Sequence, residues 1–98
     1  MSKFGELIDL EKPVLLDFYT EWSEKDTSTH QILKDVASAL GDKAKVIKID
    51  VDKNRALAGS LRVENLPCFI LYKKGEMLWR QSGQQDAESL IAIVNKHI

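Results

Sequence analysis

Cysteine is almost missing from this sequence: Cys68 is the single thiol among 98 residues. One thiol cannot close a disulfide within the chain, and it cannot supply the several cysteines of a structural zinc site. Excess charge is missing too, with 14 lysines and arginines against 15 acids. Phosphate backbones are held by concentrated cations, and no basic run here exceeds Lys73-Lys74, so no nucleic-acid partner is expected. No stretch approaches the roughly 20 apolar residues of a membrane-spanning helix. The opening "MSKFGELIDLEK" carries acids where a secretory signal would be apolar. The expectation is a cytoplasmic protein with no membrane partner, no metal and no cofactor, and nothing in the sequence sets an oligomeric state.

What is present describes an ordinary globular protein, 44% apolar and 30% charged. Its length suits one hydrophobic core and one domain over residues 1–98. Repeats, linkers and low-complexity segments are absent. After Ser2, Phe4, Leu7 and Ile8 fall at helical spacing. "KPVLLDFY" is a short apolar run of the kind that forms a strand buried on both faces. From Ser23 to Leu40, Ile32, Leu33, Val36, Ala37 and Leu40 line one helical face, and Gly41 stops the helix. "AKVIKIDVD" alternates as a strand does, and "NRALAG" suits a short helix ended by Gly59. "CFILYKKGEMLWRQSG" is a hairpin turning at Gly75. Asp86 opens a last helix, with acids in its first turn and Lys96 and His97 in its last. The order α-β-α-β-α-β-β-α implies an α/β protein: a four-stranded mixed sheet, one parallel pair and one hairpin, between helices.

On these motifs, in this order, the chain resembles the thioredoxins from about Pro13 to its end. "KPVLLDFYTEW" is similar to the family's first central strand and its tryptophan. "VIKIDVDKNRALAGSLRVENLP" is similar to the run that leads to the family's cis-proline, and "FILYKKGE" with "QSG" to its hairpin and the glycine after it. The family's redox dithiol, Cys-x-x-Cys, falls on Ser23-Glu24-Lys25-Asp26 in this chain. Thiol–disulfide exchange needs one thiolate to attack and a second thiol to resolve the mixed disulfide, so the family's disulfide oxidoreductase activity is not expected. Thioredoxins usually carry a further edge strand before the first helix. Twelve residues before Pro13 leave no room for both, so four strands and an additional exposed edge are expected.

The candidate residues follow from both lines of reasoning. Ser23 and Asp26 have the spacing of a capping box at a helix start, where a serine oxygen satisfies an N–H group and contributes ~1 kcal/mol. As a nucleophile Ser23 has no base within reach, because His30 lies ~10 Å along the same helix at 1.5 Å per residue. Asp26 and His30 fall four residues apart, a spacing that suits a solvated surface pair better than half a metal site. Asp17 and Lys48 match the family's buried acid and lysine; burial would raise the pKa of Asp17 unless Lys48 offsets it. With no dithiol to serve, retained architecture is the expectation for this pair.

Cys68 follows Pro67 directly. It is either an inert small hydrophobe or a lone reactive thiol that forms mixed disulfides, with Lys25 and Lys48 as the cations available to activate it. Trp22, Leu66, Pro67, Gly83 and Gln84 match the family's peptide groove. The expectation is therefore a redox-inactive thioredoxin-like module that binds protein or peptide, the alternative being a monothiol enzyme acting through Cys68.

Overall fold

The computed structural model describes residues 3–20 and 28–98. Its helices are α1 (Lys3–Ile8), α2 (Ser28–Leu40), α3 (Arg55–Ser60) and α4 (Ala87–Asn95), and its strands are β1 (Val14–Tyr19), β2 (Lys45–Asp50), β3 (Cys68–Lys73) and β4 (Glu76–Ser82). The described strands form one sheet in the order β2-β1-β3-β4. β1 runs parallel to β2 and antiparallel to β3, and β4 returns antiparallel beside β3. This is the mixed α/β sheet between helices that the sequence implies.

Alternation along the strands divides the core into two clusters. Leu15, Phe69 and Leu71 pack under Leu33, Val36 and Leu40 of α2 and Leu90 and Val94 of α4. Val14, Leu16, Phe18, Cys68, Ile70 and Tyr72 face the other way, toward Ile8 of α1 and Leu57 of α3. β1 and β3 are sealed on both faces, and this is why they read as almost wholly apolar runs, β1 interrupted by Asp17. The outer strands β2 and β4 are part exposed and carry most of the charged strand residues.

Turn chemistry sets the ends. Lys74 and Gly75 both take positive φ, +54° and +80°, the requirement of a two-residue hairpin turn whose twist matches its strands. The Lys74 and Gly75 N–H groups reach back to the Leu10 and Ile8 carbonyls, fastening α1 against the hairpin. Asp86 caps α4, its Oδ1 accepting from the Ser89 N–H at 2.7 Å.

Three local expectations are corrected. Gly59 does not end α3, which continues to Ser60; the left-handed residue is Arg62, at φ +55°. The Arg80 guanidinium holds that turn from β4, donating to the carbonyls of Leu61 and, at 2.7 Å, of Arg62. The second strand stops at Asp50, because its carboxylate accepts from the Asp52 N–H and winds Val51–Lys53 into a 3₁₀ turn. Finally, α4 closes at Asn95, so Lys96 is its cap and His97 lies beyond its last turn.

Candidate functional site

The C-terminal ends of β1, β2 and β4 and the start of β3 meet at one end of the sheet. In α/β sheets that open end, beyond the carboxyl ends of parallel strands, is where ligands are bound. Pro67 leads into β3 through a cis Leu66–Pro67 peptide. Its carbonyl accepts from the Gly83 N–H at 2.8 Å, so the proline loop and the glycine after β4 form one continuous rim. Gly83 has φ +95°, a conformation that side chains disfavour. Leu66 is half-buried, Pro67 is buried, and Gln84 is exposed on this rim. The structure thus brings together Leu66, Pro67, Gly83 and Gln84. Trp22 and the Ser23–Asp26 segment lie outside the described residues, as do the proposed cap and the Asp26–His30 pair.

Asp17 is fully buried, with 0% exposure, on the β1 face that Leu15 shares with α2 and α4. In register it lies beside Lys48 of β2 and Phe69 of β3. Lys48 extends over the same face. Its Nζ is 4.5 Å from the centre of the Tyr19 ring, within the range of a cation–π contact, and 3.1 Å from Nδ1 of His30. An ammonium only donates, so in this contact Nδ1 of the imidazole is the accepting atom. This lysine–histidine contact joins β2 to α2 across 18 positions of sequence, and no local spacing signals it. The Arg80 clamp escapes sequence reading for the same reason.

Cys68 occupies a different environment. Its exposure is 0%, and it packs with Phe18, Ile70 and Leu16 on the α1/α3 face. Phe18 is its partner across the ladder, one residue along from Asp17. The thiol therefore projects from the sheet on the side opposite Asp17 and Lys48. Sequence adjacency to Pro67 places its backbone at the rim and its sulfur in the core. Tyr72, in the same apolar cluster and edge-on to Phe4, has its phenol pushed above the ordinary range by burial, with Arg80 opposing the shift. Among the described residues no three His, Cys, Asp or Glu side chains converge as metal ligands, and no helix is long and apolar enough to cross a membrane.

Sheet order, cis-proline loop and buried acid together define a thioredoxin-like fold. The thioredoxin family model matches residues 1–96, and the chain belongs to the thioredoxin family. It is 42% identical over 91 residues to a chloroplastic thioredoxin Y of Oryza sativa subsp. japonica, covering 92% of this chain and 54% of that protein. It is 40% identical to a thioredoxin-like protein of Synechocystis, covering 92% and 87%. It therefore spans about half the length of the plant relatives it matches, and most of the bacterial ones. Among solved structures, a variant of the Halobacterium salinarum thioredoxin superposes with a TM-score of 0.78 at 31% identity, covering 99% of this chain and 84% of the other.

Proposed function

We propose that this chain is a thioredoxin-family binding module without dithiol–disulfide exchange, docking a protein or peptide segment along the rim of Leu66, Pro67, Gly83 and Gln84, with Trp22 as a further contact that the family resemblance implies. The observation that carries the reading is the cysteine itself. The sequence has one, and its sulfur is sealed in the core, facing away from Asp17 and Lys48. A resolving thiol has no counterpart in the sequence, so a mixed disulfide with substrate would have no intramolecular exit. Asp17 and Lys48 then act as architecture, holding β1, β2 and α2 in place at the floor of the rim. We take the compartment to be the cytoplasm, on the reduced state that a single buried thiol suits.

Insulin reduction with dithiothreitol as the electron donor tests the first half of this reading. The expected rate equals the donor's own background, and turnover well above it overturns the proposal. Peptide docking is tested by tryptophan fluorescence: addition of an extended peptide should shift the emission, and Trp22→Phe should remove the response. The rival reading, a monothiol enzyme acting through Cys68, is tested by titration with Ellman's reagent in native buffer. Core burial predicts labelling about a hundredfold slower than in denaturant, the factor set by an opening free energy of roughly 2.7 kcal/mol. Rapid labelling below neutral pH would transfer the function to Cys68.

A further inference from the structure

β2 is the outermost described strand on its side of the sheet. Lys45 gives its N–H to the Pro13 carbonyl at 2.9 Å. Successive residues of a strand alternate in direction, so Val46 turns its own N–H and C=O away from β1. The open edge ends at Asp50, whose carbonyl accepts from the Asn54 side chain at 2.9 Å.

Two pockets straddle this edge, one on each face. The first has a volume of about 360 Å³; Phe4 and Leu7 of α1, Ile47 and Ile49 of β2 and Leu57 of α3 form its apolar wall, and Lys3, Lys48, Asp50 and Asn54 its polar margin. The second holds about 160 Å³; Leu33, Ala37 and Val46 form its apolar side, and His30, Lys34 and Lys48 its basic side. Ile47 and Ile49 of β2 border the first pocket and Val46 the second, while Lys48 borders both. An added strand has the same period of two, and would send alternate side chains into the two pockets.

Lysines on an edge strand are an ordinary defence against stray pairing, and Lys45 and Lys48 serve that end toward apolar or basic strands. They also oppose a second copy of this chain, which would set its own β2 lysines against these. A defence of this kind has no need of a pocket on each face. We infer that the β2 edge is a second docking site, independent of the cis-proline rim, and that it takes an extended segment of a protein partner in which apolar and acidic side chains alternate. The apolar side chains enter the Phe4–Leu57 pocket. The carboxylates meet Lys34 and Lys48, and the backbone pairs with β2 at Val46.

The probe is a short fluorescein-labelled peptide alternating valine and glutamate, with a valine–lysine peptide as control. Fluorescence polarisation should show binding of the acidic peptide alone. Lys34→Glu, on the exposed side of α2, should weaken it about tenfold, the equivalent of roughly 1.4 kcal/mol. Val46→Pro removes the outward N–H while sparing the bonds to β1, and should abolish binding. If a thermal melt shows Val46→Pro unfolded, Lys34→Glu carries the test. Amide shifts in ¹⁵N spectra should gather on β2, α1 and α2. Equal binding of both peptides, no binding, or shifts confined to Leu66–Pro67 and Gly83 would overturn the inference. A dimer by sedimentation that Lys34→Glu or Val46→Pro disperses would overturn it too, by naming a second copy as the occupant. The cis-proline rim can fail its own tests without touching this result, and the reverse holds.

Discussion

Asp17 and Cys68 lie one step apart on the β1–β3 ladder, yet they belong to opposite faces of the sheet. On the α2/α4 face, Asp17 is buried beside Lys48, whose ammonium reaches outward to Tyr19 and the exposed His30. On the α1/α3 face, Cys68 meets Phe18, Leu16 and Ile70 and no charged side chain among its cluster. A thiolate is stabilised by nearby cations and disfavoured by apolar surroundings. The thiol and the Asp17–Lys48 pair sit on opposite faces, and a cation on the sulfur's own face, Arg80, is committed to the Leu61 and Arg62 carbonyls. Nearness to the proline loop in sequence does not overcome a strand's period of two.

The largest effect that tests this division is expected at Phe69, which Asp17 faces across the ladder and which is wholly buried under α2 and α4. Phe69→Ala should cost about 3–5 kcal/mol, the lost transfer energy plus that of the cavity, read as a fall in the urea midpoint. A loss below about 1 kcal/mol would mean that the α2/α4 cluster is not a packed core.

A smaller effect is expected on the other face. Cys68→Ser puts a hydroxyl where the neighbours offer only carbon, and should cost about 1–3 kcal/mol. Cys68→Ala removes the sulfur and leaves no polar atom to satisfy, so it should be the milder change. If serine is tolerated as well as alanine, water or a polar group reaches position 68 and the contrast between the faces fails.

Much of this was legible in the residues, for physical reasons that can be named. β1 shows as "VLLDFY" because both of its faces are covered, and α4 shows because Leu90 and Val94 repeat at helical spacing after a capping aspartate. The parity of Cys68 with Ile70 and Tyr72 was also there to read. Which parity faces α2 was not, because that is settled only when the sheet is assembled. Gly59 misled for a related reason. Glycine is a good local stop, but α3 is held from a distance by Arg80 of β4, and that contact lets Arg62 take the left-handed turn. The Asp50 turn, by contrast, was a local signal: an aspartate bonding the backbone two residues on. His30 and Lys48 carried no such sign, being joined only through the packing of α2 on β2.

The smallest expected effect concerns Asp86, on the surface, where it fixes the start of the helix that roofs the α2/α4 face. The hydrogen bond from the Ser89 N–H holds its carboxyl below the ordinary aspartate value. A depressed folded-state pKa gives stability that is complete above the unfolded value, about 3.9. That stability is lost as pH falls through the folded value, because the protonated carboxyl is the poorer acceptor. Asp86→Asn keeps a capping oxygen and removes the titration. Wild type should therefore exceed Asp86→Asn in urea midpoint near neutral pH, and the gap should narrow as pH falls below about 4. A gap that stays constant across this window would show that the carboxylate charge contributes nothing at the helix start. α4 would then owe its place to the burial of Leu90 and Val94 and to a neutral cap, with no contribution from charge at its start.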